Sequence, residues 1–276
     1  SVDGVLAGTP PWKAWQQRLL GPLAVHALDR LTHDRLASLA LFFALTLTAA
    51  NLLFYAIARQ RGQTHPIAWL FAAAFGLLHL LFVYKLEYPW DGIDVLLFAA
   101  FGYAVERGWS IGVSATLIAI GAFNHETVLY LPLWFLIEAV VERRSLERTM
   151  IAVAAFALLA IVIFFVRRAL YIGVNSTSTP VIENELHVVH NLQQWFWYDW
   201  REGRVFIAAS LSSVTLWLLW QLRRHPLRTI GAWTLTVLAT IVCFGYVNET
   251  RLYLAPLAFW FGHQGLRPDK LIPSGK

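Results

Sequence analysis

The sequence predicts an all-α fold, a polytopic bundle of about nine transmembrane helices, some of them short, with an N-terminal helix on the membrane interface. Of the 276 residues, 58% are hydrophobic and only 14% are charged, whereas soluble domains carry about 25% charged residues. The apolar residues form runs between short polar turns, and the 13 tryptophans suit interfacial belts. We therefore expect a single integral membrane domain over residues 1–276.

The lengths of the apolar runs set the predicted helices. A transmembrane helix needs roughly 20 apolar residues, and shorter pieces are tolerated where they line a cavity within the protein. The long runs are 36–58, 67–84, 149–166, 205–222 and 228–247, and the short ones are 92–105, 109–122, 128–141 and 252–264. Residues 12–31 mix tryptophan and leucine with amide and basic side chains, which predicts an interfacial helix interrupted at Gly21-Pro22.

Lysine and arginine give the predicted orientation. They are denser in the turns than in the opposite segments, and the turns are 59–65, 106–108, 142–149, 222–229 and 267–276. Short basic loops face the cytoplasm, so residues 1–35 and the loop 167–204 are expected on the extracytoplasmic side. The net charge of +5 is expected to meet anionic lipid headgroups and requires no nucleic acid.

A polar cluster, residues 124–127, lies between the apolar runs 109–122 and 128–141. An ionisable group at such a place is costly unless it is paired, hydrated or functional. Glu126, beside His125 and facing Arg251, is therefore expected to position a phosphate-bearing substrate. A carboxylate in water within a loop is the alternative explanation.

Two aspartates and two arginines are further candidates, each with a structural alternative. Asp91 is explained equally well as a helix cap, while Asp94, which is deeper in the apolar run 92–105, is the better functional candidate. Arg251 and Arg18 suit a bidentate clamp on phosphate, or they place an alkyl chain in the membrane and the charge in water.

His187 and His190 are spaced to share a helical face, and with Glu183 or Glu185 they would form a metal site. A solvated loop helix is the favoured explanation, so no metal ligand is assigned. Whether a divalent cation takes part in the chemistry stays open.

Three stretches resemble motifs of the polytopic glycosyltransferases with the GT-C fold, bacterial members in particular. Trp15-Gln-Gln-Arg-Leu-Leu-Gly-Pro22 is similar to their first-loop Gln-x-Arg-x-Leu-x-Pro stretch. Tyr88-Pro-Trp-Asp91 is similar to their Tyr-x-x-Asp entry to a short span, and Asn124-His-Glu-Thr127 to their Asn-Arg-Glu-Thr, with His125 in place of the arginine. Glu249 and Arg251 resemble a late Glu-x-Arg pair.

The resemblance implies transfer of a sugar from a polyprenyl-phosphate-linked donor to a glycan or lipid acceptor, on the extracytoplasmic side of a bacterial inner membrane. It implies an acidic base in the first extracytoplasmic loop, and Asp3 is the acidic residue upstream of Arg18. The remaining roles are assigned as follows: Arg251 and Arg18 stabilise the leaving phosphate, Glu126 and Asp94 orient the acceptor or a divalent ion, and His125, Glu249 and Asp91 bind substrate.

Two other classes of function remain as alternatives. A transporter or flippase of a lipid-linked glycan would use the same cationic pocket without chemistry. A non-catalytic membrane subunit of an assembly would need none of these polar residues.

Overall fold

The computed structural model describes residues 2–7, 18–83, 88–142, 146–171, 187–193, 229–244 and 250–264, with isolated positions at 209, 212, 213 and 216. Every regular element within these ranges is a helix, as the sequence predicts. The α-helices in chain order are α1 (Val2–Leu6), α2 (Leu20–Thr32), α3 (Arg35–Gln60), α4 (His65–Phe82), α5 (Pro89–Arg107), α6 (Ile111–Ala122), α7 (Tyr130–Val141), α8 (Leu146–Tyr171), α9 (Val188–Gln193), α10 (Thr229–Phe244) and α11 (Leu254–Gln264). The 3₁₀ turns Glu126–Leu129 and Thr250–Tyr253 precede α7 and α11.

Three of the described helices are long and apolar enough to cross a membrane. They are α3, α4 and the part of α8 over Leu146–Ile163. The helices α6 and α10 are apolar but shorter. Each predicted apolar run within the described residues corresponds to a helix, and the run 205–222 lies largely outside them.

Helix α5 is longer than the apolar run 92–105 that predicts it. It begins with Pro89 at its first position and ends where Gly108 adopts a left-handed conformation, with φ of 62°. Proline has no N–H to lose in a first turn, and glycine takes a positive φ at little cost. Asp91 and Asp94 are therefore inside the first two turns of a largely buried helix.

The prediction that Gly21-Pro22 interrupts an interfacial helix is wrong. Helix α2 begins at Leu20, so both residues lie in its first turn, where proline breaks no hydrogen bond. A Cβ atom on Gly21 would lie 2.8 Å from the carbonyl carbon of Pro89 and from the nitrogen of Trp90. The glycine therefore lets the start of α2 approach the start of α5. The first part of the predicted helix, residues 12–17, lies outside the described residues.

The chain divides into two compact units, and the first contains residues 1–128, 159–176 and 254–276. Helix α5 is at its centre and packs against α2, α3, α6 and α11, while α4 packs on α3. Val2 of α1, Val25 of α2 and Phe42 of α3 form a buried apolar cluster. The short N-terminal helix is thus held against α2 and α3.

Two glycines permit the close contact of α5 with α11. A Cβ atom on Gly262 would lie 2.2 Å from the carbonyl oxygen of Ala99, and one on Gly102 would lie 2.5 Å from that of Phe259. Small residues at helix contacts allow the backbones to approach in this way. Both distances are too short for any methyl group, so the helices must separate if either glycine is replaced.

We expect Gly262→Ala to destabilise the protein by about 1–3 kcal/mol, because the added methyl group overpacks this contact. The midpoint of unfolding in a denaturing detergent titration measures the change. Gly112→Ala is the matched control, since the nearest atom to its new Cβ is the Ser110 hydroxyl at 3.8 Å. Equal midpoints for the two variants would contradict the expectation.

The second unit contains residues 129–158 and 177–253. Trp233 of α10 donates from its ring nitrogen to the carbonyl oxygen of Tyr130 at 2.7 Å, and its ring meets that of Trp134 edge-on at 6.4 Å. Asn191 of α9 donates to the carbonyl oxygen of Val242 at 2.7 Å. These contacts hold α7 and α9 on α10.

Candidate functional site

A buried polar network in the first unit joins three stretches that are far apart in the chain. Helix α6 ends at Ala122, and the turn that follows presents residues 124–127 beside the first two turns of α5. The backbone nitrogens of Leu19 and Leu20 both donate to the carbonyl oxygen of Phe123, at 2.8 and 3.1 Å. These two bonds place the preceding residue, Arg18, next to the same turn.

Asp94 is the acceptor at the centre of this network. Its Oδ1 accepts a hydrogen bond from the Asn124 amide at 2.7 Å, and its Oδ2 accepts from the Thr127 hydroxyl at 2.5 Å. The Nδ1 of His125 is 2.8 Å from Oδ2. Asp94 and His125 are each 4% exposed and Asn124 is fully buried. Because buried carboxylates are costly unless hydrogen-bonded, this geometry both stabilises Asp94 and orients the His125 ring.

Arg18 and Glu126 form the second part of the network. The Nε of Arg18 donates to Oε2 of Glu126 at 3.0 Å, and Nη2 donates to Oε1, so the pair is bidentate. The Nε2 of His125 is 3.4 Å from Oε1 of Glu126. His125 thus lies between two carboxylates, those of Asp94 and Glu126, and links the two halves of the network.

Trp90 contacts both Arg18 and His125. The guanidinium carbon of Arg18 is 4.8 Å from the centre of the Trp90 ring, a favourable cation–π distance. The His125 ring stacks on Trp90 with an interplanar angle of 12°. Arg18 is 5% exposed, so the alternative that it extends its charge into water is wrong. Its Nη1 is buried with no hydrogen-bond partner among the described residues, which leaves the two N–H donors of this atom for a ligand.

The charges of the network lower the pKa of Glu126. Burial by itself raises the pKa of this carboxyl, but the charge of Arg18, aided by His125 and by hydrogen bonds, outweighs burial and lowers the pKa to about 2. The Glu126 side chain is still 35% exposed. It is therefore an ionised group that a ligand can reach, and a weak proton acceptor.

We expect the Arg18–Glu126 ion pair to survive mild acid. The folded pKa lies below the unfolded one, so the stability it contributes is complete above the ordinary glutamate range and is lost as pH falls towards the folded value of about 2. Infrared difference spectra of wild type against Glu126→Gln, recorded as a function of pH, measure the ionisation of the Glu126 carboxyl group. The Glu126 carboxylate band should remain at about pH 3, and its loss above about pH 4 would contradict the assignment.

The other predicted residues are placed elsewhere. Asp91 is 7% exposed and lies in the first turn of α5, where its charge favours the helix dipole. It is a neighbour of the network in sequence, but its side chain lines a separate cleft.

The structure does not bring Asp3 into the network. It lies on α1 with 79% of its side chain exposed and forms an ion pair with Arg35, which also contacts Asp29 at 3.3 Å. Helix α1 packs on α2, whose start adjoins Arg18. Asp3 is thus held near the beginning of α3 and stays accessible.

The C-terminal candidates belong to the second unit. Arg251 lies in the 3₁₀ turn that precedes α11, and Glu249 lies outside the described residues.

His187 donates its backbone N–H to the carbonyl oxygen of Cys243, and His190 is on α9. Glu183 and Glu185, the predicted partners of these histidines, lie outside the described residues. Among the described side chains, no three His, Cys, Asp or Glu residues are grouped to hold a metal ion.

Three members of the network had no role assigned from the sequence. Asn124 and Thr127 bind Asp94, and Trp90 supports Arg18 and His125. The signal for the first two was their place in the polar cluster 124–127. No signal distinguished Trp90 from the other 12 tryptophans, because its role depends on the approach of Arg18.

Comparison of the chain with protein-family models, with curated proteins and with solved structures finds no match.

Proposed function

We propose that this protein is a membrane glycosyltransferase of the GT-C class, with about nine spans, in a bacterial inner membrane. It transfers a sugar from a polyprenyl-phosphate-linked donor to a glycan or lipid acceptor on the extracytoplasmic side. One observation carries the proposal: Arg18, Trp90 and the residues 124–127 come from the three stretches that resemble this class, and they meet in one buried network.

The reaction is a displacement at the anomeric carbon of the donor sugar. A bond forms between the acceptor oxygen and that carbon, and the bond from the carbon to the phosphate oxygen breaks. The acceptor proton passes to a carboxylate, and the negative charge remains on the polyprenyl phosphate. The site must therefore supply an accessible base and a cation beside the phosphate.

The carboxylates of the network are better suited to orientation than to proton transfer. Asp94 already accepts bonds from Asn124 and Thr127 and contacts His125, and Glu126 is bound by Arg18. We therefore assign the proton to Asp3, whose side chain is exposed. Asp94 and Glu126 keep the roles of positioning groups for the acceptor.

The cations of the proposal are Arg18 and Arg251. The free Nη1 donor of Arg18 supports a contact with a phosphate oxygen, since guanidinium groups bind phosphates through several parallel N–H donors. In the same proposal Arg251 supplies the second cation, and Glu249 and His125 belong to the binding site, whereas Asp91 lines a separate cleft.

Native mass spectrometry in lipid nanodiscs, with polyprenyl phosphate added, tests the proposed donor. We expect wild type to retain the lipid and Arg251→Ala to bind it at least about tenfold more weakly, as the loss of a charge-assisted contact implies. Arg107→Ala, an exposed arginine on α5, is the matched control and should bind as wild type does.

The outcomes separate the three functional classes. Retention by wild type with normal transfer lost in Asp3→Asn supports the transferase. Retention in Asp3→Asn and in wild type without any transfer of sugar favours a flippase. Absence of specific retention by wild type contradicts the lipid-linked donor and favours a non-catalytic subunit.

A further inference from the structure

A cleft between α3, α4 and α5 lies apart from the polar network. Its enclosed space is about 10 Å³, enough for a group the size of one water molecule, and lies within about 280 Å³ that includes the part open to the outside. Phe42 and Phe43 of α3 contribute apolar wall, and His79 of α4 and Asp91 of α5 contribute polar groups. The cleft is located where α4 ends and α5 begins, and two of the helices around it are long and apolar enough to cross a membrane.

His79 is the unexplained group in this cleft. Its side chain is fully buried, and neither ring nitrogen has a hydrogen-bond partner among the described residues. Its ring meets those of Phe43 and Phe75 edge-on, at 5.3 and 6.2 Å. A buried polar group without a partner costs about 1–3 kcal/mol, and most such groups in folded proteins are satisfied. His79 lines the cleft, so a ligand bound there can supply the partner.

The other polar groups of the cleft favour a neutral ligand. The Thr46 hydroxyl donates to the carbonyl oxygens of Phe42 and Phe43, at 3.0 and 3.1 Å, so its oxygen is left as an acceptor. Asp91 adds a buried carboxyl group. Among the described residues, no lysine or arginine lines the cleft. The described lining thus offers hydrogen-bonding groups and one carboxyl group, and these suit a ligand that can donate a hydrogen bond.

We propose that this cleft binds the hydroxyl group of an alcohol, with His79 as its principal partner. A neutral imidazole offers one N–H donor and one lone-pair acceptor, and a hydroxyl group both donates and accepts. The enclosed space suits the hydroxyl group, and the hydrocarbon next to it would lie against Phe42 and Phe43 towards the open side of the cleft. The alcohol comes either from the membrane, as a long-chain alcohol, or from solution, as a polyol. The site is separate from the Arg18–Glu126 network and does not depend on the proposed transferase activity.

Native mass spectrometry of the full chain in nanodiscs tests this site with three probes: farnesol, farnesyl methyl ether and glycerol. The ether keeps the hydrocarbon but lacks the hydroxyl donor. We expect farnesol to bind with one-to-one stoichiometry and the ether to bind at least about tenfold more weakly. Binding of glycerol in place of farnesol would identify the soluble polyol as the source of the hydroxyl.

Variants assign the binding to His79. His79→Phe should weaken binding of the alcohol at least about tenfold. His79→Gln, whose amide both donates and accepts, should bind the alcohol with an affinity within about threefold of that of wild type. His65→Phe, at the opposite end of α4 and paired with Tyr55, is the matched control and should not change binding.

Three results would overturn the site: equal binding of farnesol and its ether, undiminished binding by His79→Phe, or no binding of either alcohol. The comparison of farnesol with its ether uses wild-type protein alone. It therefore decides the question even if His79→Phe fails to fold.

Discussion

Replacing Glu126 with glutamine should lower sugar transfer on the order of a hundredfold, the effect of misplacing a substrate-positioning group by about 1 Å. Glutamine is nearly the same size but cannot neutralise Arg18, which is buried against Trp90. The guanidinium group would then lose its bidentate partner and its fixed orientation. The initial rate of transfer from a polyprenyl-phosphate-linked sugar, normalised to folded protein, measures the loss.

The matched control is Glu147→Gln, which removes the same charge from an exposed position in the first turn of α8. It should leave transfer unchanged. Arg18→Ala and the double variant should each resemble Glu126→Gln, because two residues that act as one unit give non-additive effects. Near-normal transfer by Glu126→Gln in folded protein would remove this residue from the proposed site.

Arg61→Ala should destabilise the protein by about 3–5 kcal/mol, the cost of removing one partner of a buried ion pair. Arg61 pairs with Glu106, and the two side chains are 8% and 10% exposed. The guanidinium group also donates to the carbonyl oxygens of Phe261 at 3.3 Å and Gly262 at 2.5 Å. One side chain at the end of α3 therefore joins α3, α5 and α11, and its loss leaves the charge of Glu106 in a buried setting.

Equilibrium unfolding in a denaturing detergent titration, followed by circular dichroism, measures this effect. Arg107→Ala is the control, because Arg107 is exposed, is adjacent in sequence to Glu106 and bonds the Tyr103 hydroxyl at 3.0 Å. The double variant with methionine at positions 61 and 106 should recover much of the stability, since an apolar pair replaces a buried charge pair at little cost. A loss for Arg61→Ala no larger than that for the control would show that the pair contributes little.

Helix identity and position were largely predictable because they depend on local hydropathy. The runs 36–58 and 67–84 correspond to α3 and α4 within a few residues. The extension of α5 to Pro89 was not predicted, because Asp91 and Asp94 interrupt the apolar pattern at its start. Both aspartates are buried among other helices, and this burial depends on tertiary packing. The error at Gly21-Pro22 also concerns tertiary packing, because Gly21 lies against Pro89 at the start of α5 and local sequence carries no signal of that contact.

The candidate site was predictable in part. Asp94, His125 and Glu126 were singled out because ionisable residues beside apolar runs are costly, and the structure brings all three together. The sequence prediction placed Arg251 opposite Glu126, and this stays a prediction. The contact of Arg18 with Glu126 was not predicted. Asp3 was assigned from its place upstream of Arg18, and its partner is Arg35. The catalytic and binding roles of these residues remain predictions.

The sequence by itself determined the helical class, the positions of the apolar helices and the polar cluster 124–127 between two of them. These features follow from hydropathy and periodicity over about 20 neighbouring residues. Only the tertiary structure decided that Arg18 pairs with Glu126, 108 positions away, and that His79 faces a cleft with Asp91. Such pairs depend on how α2, α4 and α5 pack, and packing places together residues whose separation along the chain carries no local signal.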